Sequence, residues 1–231
     1  LGSISATVFV EETYDMVNNE LIITDSRLLS KDEVMAIGVD NFAPLSEVPM
    51  PRAATITRGR LTITFSGVYN TSNGVSCNLT GTAHWDDSGL HTEGENYCAT
   101  GEDFIGVTWS GSFTAKSHSI SGKNQLGGAL TIYNSDSTPN AGRVWSFKDS
   151  NPTSKYTLYA KDINLNVNIS KNTLTGNGNT AEAVLKYIHT YSKVKGSISI
   201  TPGSETVAGS FSLSNTDRQW SLVCTVTNIP Y

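Results

Sequence analysis

A chain of 231 residues with 16 Lys and Arg against 21 Asp and Glu carries a net charge of −5, and its isoelectric point is about 5.3. No basic stripe is present to follow a phosphate backbone, which argues against nucleic acid as a partner. No apolar run approaches the ~20 residues that a membrane-spanning helix needs.

Hydrophobic residues make up 38% of the chain and charged residues 16%, well under the ~25% usual for soluble domains. Ser, Thr, Asn and Gly fill the difference, a composition that suits an exported β protein whose surface is polar rather than ionic. The length fits one large β domain or two small ones. The reading is a single elaborated domain over 1–231, with 1–52 as a possible N-terminal extension.

In chain order, Ile4, Ala6, Val8 and Val10 alternate at period two, the signature of a half-buried strand. After the polar turn Val17-Asn18-Asn19-Glu20, Leu21-Ile22-Ile23 reads as its partner. Ser30-Lys31-Asp32-Glu33 is a capping box that predicts a short helix over 31–37, with Gly38 at its end. Residues 41–52 hold three prolines, which lack the ladder donor and exclude a central strand.

Leu61, Ile63 and Phe65 start the next strand, which runs to Tyr69 and turns at Asn73-Gly74 into a partner over 75–85. A polar loop follows, and residues 104–113 form another strand. Shorter strands are expected at 130–133, 144–147 and 156–159. Ile163, Leu165, Val167 and Ile169 then alternate strictly with Asn164, Asn166 and Asn168. A second helix is predicted from Asn179 to about Ser192, with Val184, Leu185, Ile188 and Tyr191 as its apolar stripe. Strands over 198–201, 207–213 and 220–226 close the chain. The fold class is therefore all-β, an antiparallel β-sandwich (immunoglobulin-like or jelly-roll-like) with two short helices.

The stretch from Gly74 to Trp109 holds the densest functional chemistry. His84, Asp86, Asp87, His91, Glu93 and Glu95 combine imidazole and carboxylate, the donor types of a transition-metal site. Their spacing matches no metal motif, so a polar hairpin loop is the preferred reading and no cofactor is assigned. His84, His91 and Glu93 stand as the metal alternative. Trp85 beside Asp86 and Asp87 could stack a sugar ring and orient its hydroxyls, with Arg143 and Trp145 as a second such pair. Core packing is the competing role for Trp109, Trp145 and Trp220.

No nucleophile elbow or acid/base spacing is present, so no enzymatic activity is expected. The neighbours Glu11 and Glu12 point to opposite faces of a strand and are not an acid/base pair. Three cysteines leave an odd count. The preferred bridge is Cys77–Cys98, closing about 20 residues and worth ~3 kcal/mol in the chain-entropy model. Cys77–Cys224 and Cys98–Cys224 are the other pairings, and three reduced thiols are a further state.

Residues 209–231, with Trp220, Leu222, Cys224 and Val226 alternating, resemble the closing strands of bacterial fimbrial adhesins. The Cys77 strand followed by a second cysteine is similar to the disulfide loop of those subunits. The resemblance covers about a fifth of the chain, and the chain departs from a single pilin domain in its length and its helical insertions. It implies a secreted or surface-exposed colonisation factor that binds a host-surface glycan or protein, or pilus subunits. A β-rich pore-forming toxin, with the strand over 156–170 as a membrane hairpin, is one alternative. A viral or phage receptor-binding domain is another.

Overall fold

The computed structural model describes residues 2–17, 20–38, 55–71, 74–86, 101–152, 157–171, 178–191 and 195–230. It is an antiparallel sandwich of two main sheets.

The larger sheet is built from β1 (Ser3–Val17), β2 (Glu20–Leu28), β3 (Thr55–Asn70), β4 (Val75–Asp86), β6 (Thr114–Asn124), β9 (Ser150–Pro152) and β10 (Thr157–Lys171). Its order is β2-β1-β3-β4-β10-β6, with the short β9 paired to β10. The smaller sheet is β14-β11-β5-β8-β7, from β5 (Asp103–Trp109), β7 (Ile132–Thr138), β8 (Gly142–Phe147), β11 (Thr180–Thr190) and β14 (Gln219–Pro230). A two-stranded ribbon of β12 (Ser197–Thr201) and β13 (Ser210–Ser214) is hydrogen-bonded to neither sheet and packs on the smaller one.

The alternations seen in the sequence become the two faces of the larger sheet. Leu61, Ile63 and Phe65 of β3, Cys77, Leu79 and Trp85 of β4, and Ile163, Leu165, Val167 and Ile169 of β10 all point inward and are buried. They meet Ile105, Val107 and Trp109 of β5, Ala183, Leu185 and Tyr187 of β11, and Cys224 and Val226 of β14. Gly81 of β4 leaves room for the facing sheet, since an added Cβ there would lie 2.8 Å from Leu185 Cδ1. β3 and β4 pair as the expected hairpin, with Asn70 opposite Ser76 and Gly74 at φ 91°, a conformation that glycine adopts without a Cβ clash; Asn73 lies outside the described residues. A second, smaller core of Phe104, Val144, Ile188, Phe211 and Leu213 lies where β13 covers the far face of the smaller sheet.

The helix α1 (Lys31–Ile37) has the predicted capping box. Ser30 Oγ accepts from the Glu33 amide at 3.3 Å, and Glu33 accepts from the Ser30 amide at 2.8 Å. With Arg27 also donating to it, Glu33 is held down at a pKa of about 2, the Ser30 amide being the main cause.

Two expectations are corrected. The second helix is the strand β11. Ala181, Ala183, Leu185, Tyr187 and His189 are buried at period two, and β11 pairs with β14 on one side and β5 on the other. A helical stripe through the same apolar residues is an alternative solution of the pattern, and the sheet overrides it. The Cys77–Cys98 bridge is not made. Cys77 is a free thiol in the main core, and so is Cys224. Burial raises the Cys77 pKa to about 11 and that of Cys224 in the same direction. Cys98 lies outside the described residues, as does the proline-rich stretch 41–52.

Strand β6 was not anticipated. Its sequence TAKSHSISGKN has no apolar alternation because, as the outermost strand beside β10, it is largely exposed on both faces.

Candidate functional site

The outward face of the larger sheet is an in-register array of small polar side chains. One row crosses five strands as Ser5, Thr64, Thr82, Asn164 and Ser121. The next holds Ser3, Ser66, Thr80, Asn166 and Ser119. Successive strands in such a row are ~4.8 Å apart, and successive rows lie two residues, about 6.8 Å, along the strand.

Cross-strand bonds order the array. Ser5 Oγ lies 2.8 Å from Thr64 Oγ1, Thr7 Oγ1 lies 2.9 Å from Thr62 Oγ1, and Asn166 Nδ2 donates to Thr80 Oγ1 at 3.2 Å. Each hydroxyl and amide keeps further donor or acceptor capacity on the solvent side.

One end of this face is charged. Thr7, Thr62, His84, Asp162 and Lys123 form the third row. His84 Nδ1 is 2.6 Å from Asp162 Oδ1, His84 Nε2 is 3.2 Å from Asp86 Oδ1, and the Arg60 guanidinium donates to the other Asp86 oxygen. All four side chains are partly exposed.

The residues singled out in the sequence therefore separate. His84 and Asp86 share this charged end. Asp87, His91, Glu93 and Glu95 lie outside the described residues. Trp85 points the other way. It is 2% exposed and presents no ring face on which a sugar could stack. Adjacent strand residues project to opposite sides, so Asp86 and Trp85 do not share a surface. Trp145 is likewise 3% exposed. Arg143 is half-buried beside it, with Cζ 6.0 Å from the Trp145 ring, and reaches His118 Nε2 at 2.7 Å and Asn134 Oδ1 at 3.3 Å.

The inward side of Trp85 leads to a cluster the sequence reading did not assemble. Glu12 of β1, Asp103 of β5, Asp149 just beyond β8 and His189 of β11 converge at one end of the sandwich, each 2% exposed or less. His189 Nε2 lies 2.8 Å from Glu12 Oε1, and His189 Nδ1 lies 3.0 Å from Asp103 Oδ2 and 3.5 Å from Asp149 Oδ2. Asp103 also accepts from the Tyr187 hydroxyl and, at 3.0 Å, from the Thr190 amide. Ser26 donates to Glu12 at 3.0 Å, and Trp220 Nε1 donates to Ser26 at 3.0 Å.

Aromatic rings wall the cluster. Trp85 donates to Tyr187 Oη at 3.1 Å, its centroid lies 5.8 Å from that of His189, and Trp220 lies 4.9 Å from His189 on another side.

The electrostatics follow from burial and proximity. Burial alone would disfavour the imidazolium, but Asp103 and Glu12 outweigh it and hold the His189 pKa well above its ordinary value. Burial and the neighbouring Asp103 push Asp149 well above the usual carboxylate range. Tyr187 is raised for the same two reasons. Neither oxygen of Asp149 has a hydrogen-bond partner.

Glu12 and Glu11 do face opposite ways. Glu11 is on the outer side, paired with Arg27 at 2.9 Å and Arg58 at 3.0 Å. The signal that could have exposed the cluster is the inward row of β11, which reaches His189 once the segment is read at period two.

No known protein family matches the chain, and no curated protein matches it. Among solved structures, a distant neighbour is the subject of "pH-induced modulation of Streptococcus parasanguinis adhesion by Fap1 fimbriae". It is 10% identical with a TM-score of 0.31, covering 98% of this chain and 96% of the other. Another comes from work on manganese lipoxygenase of Gaeumannomyces graminis and zonadhesin of Komagataella pastoris. It is 10% identical with a TM-score of 0.32, covering all of this chain and 84% of the other. Likenesses this slight carry no argument about activity. Among the described residues, no helix is long and apolar enough to cross a membrane.

Proposed function

We propose that this chain is a surface-exposed attachment module of the adhesin kind, which meets a hydroxyl-rich glycan across the outer face of its larger sheet. The observation that carries this reading is the pair of five-residue rows, Ser5 to Ser121 and Ser3 to Ser119, flanked by a third row that holds His84 and Asp162 with Asp86 beside them. A flat lattice of hydroxyls and amides can exchange water hydrogen bonds for sugar hydrogen bonds over several residues at once. Asp86 and Asp162 supply the stronger charge-assisted acceptors. Many weak, repeated contacts of this kind suit adhesion rather than catalysis, and the low charge of the surface leaves neutral saccharides as the best match. Secretion or display at a cell surface, and the absence of enzymatic activity, belong to the same proposal.

The test is a glycan-array screen of the native chain beside Asn164→Lys/Asn166→Lys, which places two cations on the face without touching the core. Binding of a neutral oligosaccharide by the native chain, weakened tenfold or more in the variant, is the expected result. Equal binding by both proteins would move the contact elsewhere on the surface. No glycan binding at all would leave a protein partner as the object of attachment.

A further inference from the structure

We propose that Asp103, Asp149 and His189 Nδ1 bind one divalent cation of the zinc class between the two sheets, with Glu12 holding the imidazole from behind. One carboxylate oxygen from each aspartate and the Nδ1 atom lie within 4.8 Å of one another, and all three residues are buried. Nδ1 is 3.0 Å from Asp103 Oδ2 and 3.5 Å from Asp149 Oδ2. Two ligands bound at 2.0–2.1 Å on adjacent corners of a tetrahedron stand about 3.3 Å apart. Two of the three donor–donor edges therefore already lie near that spacing, and the third is no longer than 4.8 Å.

Asp149 makes the independent case for a ligand. Both of its oxygens are buried and neither receives a hydrogen bond. A buried carboxylate without donors is costly, and a cation or a proton must compensate it. Asp103, by contrast, is already served by Tyr187 and Thr190, and these bonds would persist with a metal on its free lone pair. The 2.8 Å contact from His189 Nε2 to Glu12 is the outer-shell arrangement that metal-bound imidazoles use. It fixes the tautomer with Nε2 as donor and leaves Nδ1 to the metal.

One nitrogen and two oxygens favour a borderline cation such as zinc over calcium, which takes six to eight oxygens. Binding displaces the proton on Nδ1 and any proton on Asp149, so affinity rises with pH. The cation would join β5 and β11 to the segment after β8, and through Glu12 to the other sheet.

The chain is unfolded and refolded with zinc chloride, dialysed to remove loose metal, and measured by plasma mass spectrometry and by melting with zinc or with EDTA. His84→Ala and Asp149→Asn are carried alongside. The expected result is one zinc per native chain and per His84→Ala chain, and none in Asp149→Asn. Zinc well above its dissociation constant should raise the melting temperature by on the order of 10 °C over EDTA in the first two proteins only. Asp149→Asn keeps the shape of a side chain whose oxygens receive no hydrogen bond, so it should fold and keep the comparison valid. If it does not, Asp103→Asn takes its place. Native protein without zinc and with identical melting curves would overturn the proposal and leave a buried proton on Asp149. Zinc retained in Asp149→Asn but lost in His84→Ala would equally overturn it, by placing the metal on the outer face.

Discussion

His189 Nε2 of β11 lies 2.8 Å from Glu12 Oε1 of β1, a contact between the two sheets that spans 177 positions of the chain. Both side chains are 2% exposed or less, so the pair is shielded from water and salt. Replacing Glu12 by Gln removes the charge that balances the imidazolium from this side and leaves Asp103 to do so. Breaking one partner of a buried pair costs about 3–5 kcal/mol. Urea unfolding in EDTA should show a loss of that size, and a loss under about 1 kcal/mol would mean the pair is not structural.

The same cluster sets the pH response of the metal-free protein. The folded His189 pKa is raised, so the folded state holds its proton more tightly than the unfolded chain does. The stabilisation is complete below the unfolded value of about 6.5 and is lost as pH rises through the folded value. Asp149 is also raised, and its contribution has the same sign, falling as pH rises above about 3.8. The groups facing His189 are Glu12 from β1, Asp103 from β5, Asp149 after β8 and Tyr187 from its own strand. Calorimetry in EDTA should show a melting temperature that declines between pH 6.5 and 9, with a shallower slope in Asp149→Asn. A flat profile would show that His189 is not charged in the folded state.

Trp85 is a stability residue. Trp85→Ala should cost about 3–5 kcal/mol, as buried Trp truncations do. Trp85→Phe should cost less, because it keeps much of the packing and loses the indole bond to Tyr187. A Trp85→Phe protein that is fully stable but no longer binds glycan would contradict the inward placement of the ring.

Cys77 and Cys224 should be silent to thiol reagents in the folded protein. Both are buried, and burial raises both pKa values, which suppresses the reactive thiolate. Ellman titration should find them only after unfolding, and dithiothreitol should leave the melting temperature unchanged. A drop of several degrees on reduction would restore the case for a bridge.

The sandwich was legible in the sequence wherever one face of a strand is buried. The inward residues 61–65, 75–85 and 163–169 alternate because water lies on one side of the sheet only. The capping box was legible for a similar reason, since Ser30 and Glu33 satisfy each other locally. Segments whose neighbours are distant were harder to read. In β11, Val184 and Ile188 on one face combine with Leu185 on the other to mimic a helical stripe, and only pairing with β5 and β14 decides the period. Edge strand β6 lacks a buried face to announce it. His84 and Asp86, notable in the sequence for their chemistry, lie together on the outer face, whereas Trp85 between them points into the core rather than to a ligand. The Glu12, Asp103, Asp149 and His189 cluster draws one residue from each of four separate segments, so no window of sequence contains it.

That dispersal also dictates timing. Closing a loop as long as that between Glu12 and His189 is entropically unfavourable, and contacts so distant in sequence form late and slowly. While the chain is being synthesised, Glu12 lacks its His189 contact until β11 emerges. Sealing that end of the sandwich is thus a checkpoint on completeness. A chain that stops short of residue 189 lacks the imidazole that Glu12 meets across the sheets, so that end of the sandwich cannot close as it does in the full domain.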